Sequence, residues 1–147
     1  MADTLLETLR ADLNAARRAR AKERTLVLGT TLSEARNREI ELGRALDDDE
    51  TRAVIGTAVK KREEAAHQMR EAGRTELADR EDAEAEILRG YLPEPLGEAE
   101  VRAMAREAVD AGAADLGAVM RSLMPRIRGR FEGREANRLA REALDEG

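Results

Sequence analysis

Apolar residues return at intervals of three and four along most of this 147-residue chain, the period of helices with one face turned inward. Leu6, Leu9, Leu13 and Ala16 form the first stripe. It follows Thr4-x-x-Glu7, a capping box in which the Thr hydroxyl accepts from a first-turn N–H and Glu reaches back. Leu28, Leu32, Ala35 and Leu42 predict a second helix over about 25–42, with Gly43 as its stop. Asp47-x-x-Glu50 opens a third, with Val54, Ile55, Ala58, Val59, Ala66 and Met69 along one side and Gly73 at its end. Thr75 opens a fourth, which carries Leu77, Ala85 and Leu88 and is terminated by Pro93 and Pro95.

The stretch Tyr91-Leu92-Pro93-Glu94-Pro95-Leu96 reads as a joint, because each proline disfavours helix at the residue before it. Tyr91 and Leu92 are expected to pack between the two parts. Beyond the joint, Gly97 serves as an N-cap, and Leu96 and Val101 are spaced as a hydrophobic staple. A fifth helix runs to Ala111, before Gly112. Asp115 caps a sixth, whose Leu116, Val119, Met120, Leu123, Met124 and Ile127 give the clearest period in the chain. Pro125 lies within that pattern and should bend or weaken the helix. The last helix, from about 134, buries Ala136, Leu139, Ala140 and Ala143. No strand pattern and no repeat of fixed period is present. The expected fold is all-α and multihelical: an N-terminal helical subdomain of four helices over 1–92 and a C-terminal three-helix subdomain over 93–147.

Composition agrees with that reading. Leu, Ile, Val and Phe total only 28 residues, but alanine supplies 27, and alanine is the best helix former. Phe131 and Tyr91 are the only aromatics, too few for an ordinary sheet protein of this size. The absence of cysteine excludes disulfides and Cys-ligated zinc. No apolar run approaches the roughly 18 residues of a membrane span. The acidic, periodic start MADTLLETLR is unlike a signal peptide. A cytoplasmic protein without membrane association is expected.

Charge changes the picture more. The chain holds 26 Lys and Arg against 31 Asp and Glu, a net charge of −5. Residues 121–138, RSLMPRIRGRFEGREANR, set six arginines against Glu132 and Glu135 and sum to +4, leaving −9 for the rest. Helix N-termini attract anions through unpaired N–H groups. Gly133, just before the last helix, lets such amides approach a phosphate, with Arg126, Arg128, Arg130 and Arg134 around it as guanidinium forks. A plainer explanation is that Gly129 ends one helix, Gly133 begins the next, and the arginines cover surface. A second basic run, ARRARAKER from Ala16 to Arg24, suits the C-terminus of the first helix.

Side-chain catalysis has little to work with. His67 is the only histidine, on a charged helix where a solvated surface role is expected, and Ser33 and Ser122 are the only serines. With three lysines, Lys22, Lys60 and Lys61, a Ser–Ser–Lys amidase site is improbable. Glu76, Asp79, Glu81, Asp82, Glu84 and Glu86 read as a solvated helix face. No calcium loop, zinc-binding HExxH or phosphate-cradling glycine loop occurs. No catalytic residue, metal ligand or cofactor is therefore assigned.

Two stretches carry a resemblance. EILRGYLPEPL (Glu86 to Leu96) resembles the E-I-L-x-x-Y-L-P-x-x-L joint of the GatB/YqeY family, and MRSLMPRIRGRFEGREAN (Met120 to Asn137) resembles its M-x-x-L-M-P-x-x-x-G-x-x-D-G-x-x-x-N signature. Met124, Pro125, Gly129, Gly133 and Asn137 match, whereas Glu132 replaces the usual Asp and Phe131 a small residue. The resemblance extends along the whole chain. It implies a helical N-terminal subdomain and a three-helix C-terminal one, the latter similar to the tail of the B subunit of the glutamine-dependent tRNA amidotransferase, which helps hold tRNA. It also implies an association with carbon–nitrogen ligation using glutamine as amido-N-donor, although that chemistry resides in other subunits and domains. The expected function is a non-catalytic tRNA- or RNA-associated module whose candidate RNA-binding residues are Arg126, Arg128, Gly129, Arg130, Gly133, Arg134 and Asn137. The alternative is a protein–protein interaction module that docks on an amidotransferase or a synthetase.

Overall fold

A computed structural model describes residues 3–147. Among them are seven helices and no strand: α1 (Leu5–Arg18), α2 (Lys22–Leu42), α3 (Asp48–Glu71), α4 (Thr75–Arg89), α5 (Glu98–Asp110), α6 (Leu116–Ile127) and α7 (Gly133–Glu146). The all-α class expected from periodicity is the class observed. The chain forms two compact units, Met1–Leu92 and Pro93–Gly147.

In the first unit each helix sends one large apolar side chain to a common centre: Leu9, Leu28, Ile55 and Leu88 are fully buried. Burying each of these contributes roughly 1.5–3 kcal/mol. The predicted stripe of α1 is buried as expected. On α2 the buried set is Val27, Leu28, Thr31 and Ala35, and that helix begins at Lys22, three residues before the expected start. Thr31 and Thr51 are buried polar residues that periodicity did not single out. Each hydroxyl donates to the carbonyl four residues back, Val27 and Asp47 respectively, both at 2.8 Å, so neither is left unsatisfied.

The ends of these helices show which local signals act. At α3 the Asp47 carboxylate accepts from the Glu50 N–H at 2.8 Å and Glu50 accepts from the Asp47 N–H at 3.1 Å, a complete capping box. At α1 only half of the expected box forms: Thr4 accepts from the Glu7 N–H. Separately, the Leu5 N–H donates to the Asp48 carboxylate at 2.9 Å, from the start of α3. Helix α4 ends at Arg89, ahead of both prolines, and Leu77 is exposed while Ala78 is buried in its place. Tyr91 and Leu92, at the end of the first unit, pack against its core. The Tyr91 hydroxyl donates to Asp12 at 2.5 Å and accepts from Arg24 at 2.8 Å. Burial and the Asp12 hydrogen bond push the Tyr91 phenol well above its ordinary value.

The second unit is a three-helix arrangement around Val101, Val119, Leu123, Ile127 and Leu139, with Ala105, Ala136, Ala140 and Ala143 filling the narrow places. Alanine at these positions lets helix axes approach closely, since interaxial distance follows side-chain size. Gly97 and Asp115 take the N-cap positions of α5 and α6. Leu96 is buried in this core, and its N–H donates to the Arg130 carbonyl at 2.8 Å. The segment just before α5 is thereby pinned to the turn between α6 and α7.

Candidate nucleic-acid interface

The turn between α6 and α7 is built by its backbone. Helix α6 continues two residues beyond Pro125, and the Arg128 N–H still reaches the Met124 carbonyl. Gly129 then adopts φ +75°, the left-handed conformation that glycine enters without a Cβ penalty, and the N–H groups of Arg130 and Phe131 both return to the Ile127 carbonyl. Phe131 is half-buried against the second core. The chain then enters α7 through Glu132 as N-cap, with extended backbone and no side-chain capping bond. Asp is the better capping residue because its shorter side chain reaches the second or third N–H. With glutamate here, the first N–H groups of α7 stay open, as the earliest recorded bond belongs to the Ala136 N–H.

Gly133 is the first residue of α7 rather than the residue before it. Its φ is not in the left-handed region, and a Cβ added there would meet nothing within 4 Å. Neither backbone conformation nor packing within the molecule calls for glycine at this position. The contrast with Gly129 is direct, because there the positive φ alone accounts for the residue.

The arginines divide into two groups. Arg138 is held by Glu135 and Glu142 on its own helix at 2.8 Å each and by Glu98 on α5 at 3.0 Å. Hydrogen bonds donated to Glu135 and then to Glu98 raise its pKa further, and the Arg138 bond in turn holds the Glu98 carboxyl below its ordinary range. Arg126 is drawn toward Glu107 of α5 at 3.4 Å. Arg130 is half-buried and its Nε donates to the Glu94 carbonyl at 3.0 Å, so part of its role is to hold the Pro93–Pro95 segment. Arg128 and Arg134 are exposed and have no carboxylate partner among the described residues.

Helical spacing extends this second group. Arg134, Asn137 and Arg141 lie three and four residues apart and share one stripe of α7. The acidic flank of the same helix, Glu135, Glu142 and Glu146, is the one that meets the arginines paired with α5. Arg141 and, on α6, Arg121 are exposed and unpaired among the described residues, and neither was among the sequence-derived candidates. The signal that would have found Arg141 was its spacing of seven from Arg134. The structure therefore gathers Arg128, Gly129, Arg130, Gly133 and Arg134 at one turn, with Asn137 and Arg141 one and two turns along α7. Arg126 leans away toward α5.

Other candidates are plain by comparison. His67 is exposed and 3.1 Å from Glu71. The carboxylates of α4 are largely paired: Arg70 holds Asp79 and Asp82, Arg62 holds Glu84, and Arg89 holds Glu86. Burial raises the pKa of Glu81. A concavity between α2 and α3 mixes Glu34, Glu41 and Glu50 with Arg38 and Lys61 and presents no single charge. No helix of the described residues is long and apolar enough to cross a membrane.

The YqeY-like protein family model matches residues 6–144, nearly the whole chain. The chain belongs to this family. A curated relative, altered inheritance of mitochondria protein 41 of Clavispora lusitaniae, is 33% identical over 88 residues, 60% of this chain. The match spans about half of that relative's length, 51%. Membership covers both units, so the α6–α7 turn and the α1–α2 half belong to one family pattern rather than to a fusion of unrelated parts.

Proposed function

We propose that this YqeY-like chain is a non-catalytic RNA-holding module, with tRNA as its ligand, that grips phosphate at the turn between α6 and α7. One observation carries this reading: unpaired Arg128 and Arg134 flank open N–H groups at the start of α7, where Gly133 has no reason internal to the molecule. Open amides, the helix dipole and guanidinium forks are complementary to a phosphate. Asn137 and Arg141 continue the contact along α7. The resemblance of the three-helix C-terminal part to the tail of the tRNA amidotransferase B subunit supports the same ligand, and supports an association with glutamine-dependent carbon–nitrogen ligation.

The test is tRNA binding by the intact protein as a function of salt. Each phosphate contact contributes a slope of about −0.7 to −0.9. Arg128→Gln with Arg134→Gln should reduce the slope by about 1.4–1.8. Gly133→Ala should leave the melting temperature unchanged or slightly higher, since alanine is the better helix residue, while weakening tRNA binding. Full tRNA retention by both variants would refute the reading.

A further inference from the structure

A second basic surface lies in the first unit, at the turn between α1 and α2. Residues 16–24 sum to +4, equal to residues 121–138, so the remainder of this −5 chain sums to −13. Arg24 is committed internally, to the Tyr91 hydroxyl and beside Asp12. Arg17, Arg18, Arg20 and Lys22 are exposed and have no carboxylate partner among the described residues.

The backbone of this turn is unusual. Arg20 has φ +57°, and it is the one described residue other than glycine with positive φ. The Ala21 N–H returns to the Ala16 carbonyl at 3.0 Å and the Arg20 N–H to Arg17 at 3.1 Å, which places Arg20 at the helix-ending position where glycine is the usual occupant. Left-handed backbone is unfavourable for arginine. Among the described residues the side chain makes no hydrogen bond or ion pair that would offset that cost. Favourable interaction with the C-terminus of α1 accounts for Arg17 and Arg18, but glycine would close the turn better than Arg20 does.

Arg17, Arg20, Lys22, Thr25 and Leu26 line a shallow, open hollow on the surface. Leu26, among its lining residues, is 63% exposed. An acidic amphipathic protein helix would need a row of apolar anchors one turn apart. The next exposed large apolar residue on α2 is Ile40, fourteen residues away, or about 21 Å along the helix. A single unpaired base needs only one apolar seat such as Leu26, a guanidinium plane to stack on, and cations for its flanking phosphates.

We propose that the α1–α2 turn is a second RNA contact, taking an unpaired nucleotide and its phosphates, so that one chain engages RNA through both of its units. This rests on the RNA-holding role assigned to the α6–α7 turn. Covalent linkage makes the second engagement intramolecular, which raises overall affinity without any new contact at the first site.

The experiment measures tRNA binding by the full chain between 50 and 200 mM salt, alongside thermal stability. Arg20→Gly is expected to melt higher, through relief of the backbone, and yet to bind tRNA more weakly, with the slope reduced by about 0.7–0.9. Arg17→Gln with Lys22→Gln should reduce it by about 1.4–1.8. A purely structural turn predicts the first change without the second. Unchanged slopes in these variants, beside reduced slopes in the Arg128 and Arg134 variants, would overturn this proposal alone and leave the turn to an acidic protein partner. A wild-type chain that binds no tRNA would overturn both readings together.

Discussion

Phe131 shows how one residue can be read in two ways. In a basic turn an aromatic side chain suits base stacking, yet here it is half-buried against the core that Ile127 and Leu139 fill. Half-burial puts the cost of Phe131→Ala at about 1–2 kcal/mol, below the loss for a fully buried ring. In a unit this small that lowers the melting temperature by several degrees. The expected result is a destabilised protein whose folded fraction binds tRNA normally. Unchanged stability with lost binding would instead assign the ring to a base. The outward residues around it gain their meaning by subtraction: among the described residues Arg138 meets three carboxylates, whereas Arg128 and Arg134 meet none.

At the scale of elements, the start of α3 offers a pH test. Arg44 donates to both oxygens of Glu50 at 2.7 Å, and Asp47 donates its N–H to the same carboxylate. The Arg44 hydrogen bond and then the Asp47 backbone bond lower the Glu50 pKa from 4.5 to about 2. A carboxyl depressed in the folded state stabilises the protein above its unfolded pKa, and that contribution fades as pH falls through the folded value. Stability should therefore decline as pH drops from about 5 toward 2, and Glu50→Gln should flatten part of that decline when thermal unfolding is followed across the range. A wild type and variant with parallel profiles would mean that the capping box forms without affecting stability. Such caps were legible because they depend on residues three apart. The Asp48 bond to the Leu5 N–H was not, because it joins positions 43 apart in the chain.

For the whole molecule, the two cores share no residue. Each of the seven helices faces a centre within its own unit, and Pro93, Glu94 and Pro95 between them are exposed and non-helical. Limited proteolysis is expected to release a C-terminal piece, and the fragment Pro93–Gly147 should be helical by circular dichroism and melt cooperatively. At this size the margin is narrow, so its midpoint should lie below that of the intact chain. A random-coil spectrum would show that the second core needs the first unit to form.

Periodicity and caps by themselves determined the helices, because an amphipathic stripe and a cap are written within a few residues of each other. The all-α class followed from them, and so did the buried faces of α1, α6 and α7. The glycines at 129 and 133 and the concentration of arginine were equally visible along the chain. What only the tertiary structure decided was the use of each charge. Whether an arginine is free depends on which carboxylates the neighbouring helices bring beside it, and Glu98 and Glu107 lie far from residues 126–138 in sequence. Folding also assigned Tyr91 to the first core through Asp12 and Arg24, and left Arg20 in a strained turn without a hydrogen-bond or ion-pair partner among the described residues. Local order is short-range and survives in the sequence pattern; electrostatic pairing is long-range, and it exists only once the helices have packed.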